Sequence, residues 1–270
     1  MKPFLASNNV DELEEAKCLL NERKFVILEG PPGTGKTRTA KHVAEKIGAK
    51  TFFIQFHAET SYSDFIYGIR PDTENKELRY KEYLGVFSQA IKYSLDHNAE
   101  KVILIIDEIN RANLSNVLGP IFYLFEHKMD SANVEIEIAP NLKISKLPEN
   151  FHVIATMNTA DRSLAVVDFA LRRRFAWYTM KPRAIASKQF FEDDFNKIQE
   201  IFNWYASSSE LSLQPGQGYF FAESDEEMKN RIRYEIYPLI KEYLQEGLIR
   251  NAIEEFNNYF LSRINLSLFE

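Results

Sequence analysis

Gly30-Pro31-Pro32-Gly33-Thr34-Gly35-Lys36-Thr37 is the stretch on which the reading of this 270-residue chain turns. It follows an apolar run of strand length, Phe25 to Leu28, and opens a helical pattern, the setting in which a glycine-rich loop can cradle phosphates. Glycines let the backbone close around an anion, while successive N–H groups and the helix N-terminus supply positive potential. Lys36 is then expected to reach the β and γ phosphates, and Thr37 to ligate magnesium. The expected nucleotide-binding set is Gly30, Pro31, Pro32, Gly33, Thr34, Gly35, Lys36 and Thr37, with Arg38 after them. A glycine-rich turn that binds nothing is the alternative, and it has no need of the flanking strand and helix.

Outward from the loop, apolar runs of strand length recur at Thr51 to Phe56, Val102 to Ile106, Val153 to Thr156 and Trp177 to Met180. Helix-length patterns separate the first four strands, so the reading is an α/β fold with a five-stranded, mostly parallel sheet flanked by helices. Val102-Ile103-Leu104-Ile105-Ile106 is apolar at every position, as expected of a strand covered on both faces, and is expected mid-sheet. Period-2 alternation around Pro140-Asn141 predicts a β-hairpin insertion over residues 133–147. After Pro182 the strand signals stop, and helical patterns occupy roughly Phe190 to Tyr205, Ser224 to Gln245 and Leu248 to Leu261. The predicted domains are a helical lead-in over 1–24, a nucleotide-binding α/β domain over 25–182 and a small helical lid over 183–270. The turn-rich Gln214-Pro215-Gly216-Gln217-Gly218 is expected to link two lid helices.

The strand at Val102 ends in Asp107-Glu108, and nucleotide hydrolysis needs two carboxylates there. One holds hydrated Mg2+, assigned to Asp107 together with Thr37; the other polarises the attacking water, assigned to Glu108. A solvated acidic turn is the bland alternative. Val153 to Thr156 leads into Met157-Asn158-Thr159-Ala160-Asp161-Arg162-Ser163, and in a parallel sheet its carboxyl end lies beside Asp107. Asn158 can therefore help position water, or initiate the next helix through an Asx turn, and the two roles are compatible. Leu171-Arg172-Arg173-Arg174-Phe175 puts three guanidiniums at about 100° intervals around a helix end. In a ring such arginines reach a neighbour's γ-phosphate, the alternative being cationic capping of the helix C-terminus.

Thirty-three basic against 39 acidic side chains leave a net charge of −6, without the basic excess of a dedicated nucleic-acid binder. One cysteine, Cys18, excludes an internal disulfide and suits a reducing, cytoplasmic setting. No run of 18 or more apolar residues supports a membrane span. The five histidines show no paired metal-ligand spacing, so no structural metal is expected.

Asp107-Glu108-Ile109-Asn110-Arg111-Ala112-Asn113-Leu114, Met157 to Ser163 and Ala170 to Phe175 together closely resemble the McrB family of modification-dependent restriction motors, which are AAA+ proteins. Tyr62 to Pro71 is similar to the family's segment after the second strand, and the resemblance spans roughly Phe25 to Gly247. It implies an AAA+ P-loop NTPase fold with a helical lid. It also implies a homo-oligomeric ring, as a hexamer, that hydrolyses GTP or ATP with Mg2+, joins a McrC-like nuclease subunit and acts on DNA indirectly or through the ring pore. Residue by residue, Lys36, Thr37, Asp107 and Glu108 match the nucleotide motifs, Asn158 the γ-phosphate sensor, and Arg173 and Arg174 the arginine fingers. Asp161 and Arg162 match signature positions.

Two departures stand out. The family carries a DNA-recognition domain ahead of the motor, whereas residues 1–24 alone precede the first strand here, so target specificity is expected to lie outside this chain. Between the glycine and tyrosine of the Gln214 to Phe220 segment the family has histidine and serine, where this chain has Gln217 and Gly218.

Asn158-Thr159-Ala160-Asp161 imitates a guanine-reading box, but it follows the strand expected to end near the γ-phosphate, at the far end of the nucleotide from the base. Guanine preference therefore rests on the resemblance. The competing readings are an ATP-dependent protein remodeller of the MoxR or dynein-related kind, and a nucleotide-gated assembly scaffold with little turnover.

Overall fold

The computed structural model describes residues 12–72, 79–126, 135–161 and 169–269. In chain order the elements begin α1 (Glu12–Arg23), β1 (Phe25–Gly30), α2 (Lys36–Ile47), β2 (Lys50–Gln55), α3 (Tyr62–Phe65), β3 (Tyr67–Asp72) and β4 (Arg79–Leu84). There follow α4 (Val86–Asp96), β5 (Val102–Asp107), α5 (Leu114–Leu118), β6 (Ile136–Ala139), β7 (Leu142–Ile144), β8 (Phe151–Asn158), α6 (Phe169–Arg174) and β9 (Ala176–Thr179). The remainder is helical: α7 (Glu192–Tyr205), α8 (Asp225–Arg231), α9 (Tyr237–Gln245) and α10 (Ile253–Ile264).

All five strands expected from the apolar runs form, and among the described residues they make one five-stranded sheet in the order β2-β5-β8-β1-β9. The β2·β5 and β5·β8 pairs are parallel. β5 is buried at every residue, yet the middle place belongs to β8, whose first seven residues are buried too. An all-apolar strand reports cover on both faces, which every interior strand has, and so cannot rank itself within the sheet. Ile106 opposite Ala155 sets the register that brings Thr156 level with Asp107.

Of the insertion expected over 133–147, residues 127–134 lie outside the described residues, and β6 and β7 form the antiparallel pair around Pro140 and Asn141. Asn141 takes the left-handed conformation at φ 61°, which asparagine tolerates in tight turns. A second hairpin, β3 with β4, pairs Tyr67 with Leu84 through Asp72 with Arg79. Its first strand carries Gly68 and Pro71, residues that read against a strand interior.

Contacts divide the chain into two compact units. Among the described residues, the first takes in 12–29, 37–72, 79–126, 135–157 and 169–178, and its core joins Ile27, Leu104, Ile106, Val153 and Ala155 from the sheet to Phe87, Phe125, Leu171 and Phe175. The second comprises residues 30–36, 158–161 and 179–270, so the phosphate loop is grouped with the C-terminal helices. Its own core stacks Phe195 edge-on to Phe220 and Phe202 edge-on to Phe256. Between α8 and α9 the helix widens into a π-turn over Ile232–Ile236, with Tyr237 N–H reaching the Ile232 carbonyl. Pro238 lies in the first turn of α9 and has no N–H to donate, so the regular ladder cannot run unbroken through this point.

Candidate functional site

In the first unit the chemistry gathers at the carboxyl end of β5. Asp107 is buried, and its Oδ1 accepts hydrogen bonds from the Thr37 hydroxyl at 2.6 Å and the Thr156 hydroxyl at 2.7 Å. Thr37 stands in the first turn of α2 and Thr156 near the end of β8, so a helix and a neighbouring strand converge on one carboxylate. A threonine oxygen that gives its proton to Asp107 keeps its lone pairs for a cation, and a hydroxyl beside a carboxylate is a hard-oxygen donor set of the kind Mg2+ takes.

Glu108 follows in the left-handed conformation at φ 54° and ψ 50°. For a residue with a Cβ that conformation costs about 1–2 kcal/mol and is held by its surroundings. The Glu108 N–H donates to Thr156 Oγ1 at 3.0 Å, and Arg111 Nε stands 3.6 Å from Glu108 Oε2. Sequence reasoning missed Thr156. The signal was a hydroxyl on an otherwise apolar interior strand, since a buried hydroxyl must find a partner.

The second unit holds the phosphate loop from Gly30 to Lys36. Gly33 adopts φ 79°, and a Cβ there would also meet the Tyr219 ring at 2.7 Å, so glycine is required twice over. Lys36 is 8% exposed, and its ammonium donates to the carbonyls of Gly30 at 2.9 Å and Pro31 at 2.8 Å. The Thr34 hydroxyl donates to the Pro31 carbonyl at 2.9 Å.

Asn158 belongs to the same unit, and its Oδ1 accepts from the Ala160 N–H at 3.2 Å. That bond closes an Asx turn, while the start of the helix it is expected to initiate lies outside the described residues. Thr159 N–H donates to the Gly30 carbonyl at 3.1 Å, tying the segment after β8 to the start of the loop. Arg162 lies outside the described residues. The segment Gln214 to Phe220 also touches the loop: Gly216 N–H donates to the Pro32 carbonyl, Gly218 N–H to that of Gly33, and Gln217 Nε2 to that of Thr34, each at 2.8 Å. Burial raises the Tyr219 phenol above its ordinary pKa, and Glu235 adds to the shift.

The three arginines of α6 part company. Arg172 lies over the Trp177 ring, 4.8 Å from its centroid. Arg174 is buried, pairs with Glu126 and stands 5.5 Å from the centroid of Phe122. Arg173 is exposed. Successive residues leave a helix about 100° apart, so burying Arg174 turns Arg173 outward.

Residues 25–175 match the family described as AAA domain (dynein-related subfamily). The Type IV methyl-directed restriction enzyme EcoKMcrB subunit of Escherichia coli (strain K12) is 41% identical over 171 residues, 60% of this chain and 36% of that protein. The Type II restriction enzyme BsuMI component YdiS of Bacillus subtilis (strain 168) is 28% identical over 189 residues, 56% of this chain and 55% of that protein. A pachytene checkpoint protein 2 homolog of Danio rerio is 24% identical over 230 residues, 82% of this chain and 49% of that protein. The chain thus spans between about a third and about half of these curated relatives.

Proposed function

This chain belongs to the AAA domain family, dynein-related subfamily, and from that premise we propose that it is the motor subunit of a modification-dependent DNA restriction system resembling the McrB type. It hydrolyses GTP in a homo-oligomeric ring and works with a McrC-like nuclease subunit that cuts the DNA. The 41% identity to a methyl-directed restriction subunit supports this assignment, and the likeness to a second restriction component adds to it.

Hydrolysis is carried by one observation: the Asp107 carboxylate, held by the Thr37 and Thr156 hydroxyls, directly precedes Glu108 at the end of an interior strand. Thr37 and Asp107 would hold Mg2+, which when bound neutralises charge on the β and γ phosphates. Lys36 contacts those phosphates, and the N–H groups of the loop cradle them. Glu108 accepts a proton from the attacking water at a carboxylate oxygen, and Asn158 orients that water through its carboxamide. Arg173 reaches the γ-phosphate of the adjoining subunit and stabilises charge that grows in the transition state. The deciding measurement is phosphate release from GTP and from ATP by the purified chain, with Mg2+ and with a chelator. GTP should be cleaved faster, and chelation should stop both reactions; no release from either nucleotide would refute hydrolysis.

A second reading, an ATP-using protein remodeller, draws support from the dynein-related match. A clear preference for ATP, with no response to any nuclease subunit, would decide for it.

A further inference from the structure

The phosphate loop spends its carbonyls in an orderly way. Gly30 and Pro31 carbonyls accept from Lys36, whereas those of Pro32, Gly33 and Thr34 accept in turn from Gly216 N–H, Gly218 N–H and the Gln217 carboxamide. Three consecutive residues thus cap three consecutive carbonyls, across a sequence separation of 183 between Thr34 and Gln217. The approach is close. A Cβ on Gly216 would lie 2.3 Å from the Gly33 carbonyl carbon, and one on Gly218 would lie 2.9 Å from the Gly33 oxygen, so both contacts depend on glycine. Gln217 is 8% exposed, and its other amide atom, Oε1, accepts from the Arg183 N–H at 3.4 Å, which fixes the orientation of the carboxamide.

In a trans peptide the carbonyl of one residue and the N–H of the next point to opposite sides. Holding the carbonyls of Pro32, Gly33 and Thr34 against Gly216 to Gly218 therefore directs the N–H groups of Gly33, Thr34 and Gly35 the other way. Those are the donors a phosphate-binding loop needs for its anion.

We infer that Gln217 is a positioning residue for nucleotide binding, its carboxamide acting with Gly216 and Gly218 to pre-set the phosphate loop for a nucleoside di- or triphosphate. The inference rests on the nucleotide-binding reading above. Gln217 touches no reacting atom. It acts through the loop, whose donors engage phosphate in the bound ground state and the transition state alike, so its loss should raise Kd and KM and leave kcat nearly unchanged.

The experiment compares GDP and GTP binding by calorimetry, together with GTP turnover, for the full chain and for Gln217→Ala, Gln217→Glu, Gln217→His and Lys36→Ala. Gln217→Ala should weaken GDP binding about tenfold, and Gln217→Glu should weaken it further because an acceptor would then face the Thr34 carbonyl. Gln217→His should recover most of the affinity, since its Nε2 is as many bonds from Cβ as the glutamine Nε2. Saturating turnover should change by less than about threefold in all three. A purely structural role would instead lower the melting temperature of the nucleotide-free variants and leave their affinity alone.

GDP affinity of Gln217→Glu within about twofold of the parent, with Lys36→Ala still defective, would overturn the positioning role and spare the nucleotide reading. A parent chain that binds neither nucleotide would remove that reading itself. Should the Gln217 variants fail to fold, amide exchange on the parent chain decides. GDP should slow exchange at Gly216 and Gly218, and rates indifferent to GDP would overturn the inference.

Discussion

Glu108 pairs an uncommon backbone with the chemistry assigned to it: a left-handed residue directly after the buried Asp107, anchored through its N–H to Thr156. Glu108→Gln keeps that backbone bond and removes the proton acceptor. It should therefore bind nucleotide as the parent does while phosphate release falls by about 10²- to 10⁴-fold; near-parental release would remove Glu108 as the base. Arg173 and Arg174 separate on a second kind of measurement. Arg174→Ala strips a buried guanidinium from Glu126 and Phe122 and should cost roughly 1–3 kcal/mol in urea unfolding, whereas Arg173→Ala should stay within about 0.5 kcal/mol. Equal costs for the two would contradict the burial that distinguishes them.

At the scale of elements, the C-terminal helices are joined by a charged node. Asp194 on α7 is buried and accepts two bonds from Arg263 Nε, at 2.9 and 3.2 Å, one from Arg263 Nη2 at 2.9 Å and one from the Tyr259 hydroxyl at 2.9 Å, both partners lying on α10. Asp194→Asn leaves a guanidinium short of its counter-charge and should destabilise the protein by about 3 kcal/mol, read from denaturant midpoints. Arg263 also reaches Asp225 on α8, where hydrogen bonds from Arg263 and Lys229 hold the carboxyl at about 2, below its ordinary 3.8. A depressed carboxyl contributes stability above its unfolded pKa and loses it as pH falls toward the folded one. The melting-temperature gap between the parent and Asp225→Asn should thus be constant above about pH 5 and close between about pH 4 and pH 2. A gap that widens on acidification would contradict the shift. These helices were legible from their 3.6-residue periodicity. The π-turn before Pro238 was not, because missing N–H groups tell where a ladder breaks and not how the chain bridges the break.

At the scale of the whole molecule, the proposed ring places an arginine of one subunit at the nucleotide of the next. Arg173→Ala subunits should bind nucleotide yet turn it over about 10³- to 10⁵-fold more slowly, and Lys36→Ala subunits should fail to bind. Mixed together, some sites pair an intact Lys36 with an intact Arg173 from the other variant, and part of the activity should return. Co-assembled subunits that stay inactive at every ratio would end the trans assignment. Assembly itself should strengthen with a non-hydrolysable nucleotide, because binding at a site shared by neighbours favours their association; light scattering that shows one unchanging mass would count against the ring.

The phosphate loop, the Asp107-Glu108 strand end, the five sheet strands and the change to helices after Pro182 were all determined by the sequence alone. Each is written locally, in apolar periodicity and in residue types set a few positions apart, so neighbours in the chain suffice to read it. The tertiary structure alone decided that Thr156 joins Thr37 on Asp107, that Arg174 turns inward while Arg173 stays exposed, and that Gln217 caps the Thr34 carbonyl. Those outcomes depend on strand register, on which turn of a short helix meets the core, and on the meeting of segments 183 residues apart. No local pattern encodes such partners, because their contact exists only once separate apolar faces have been buried together.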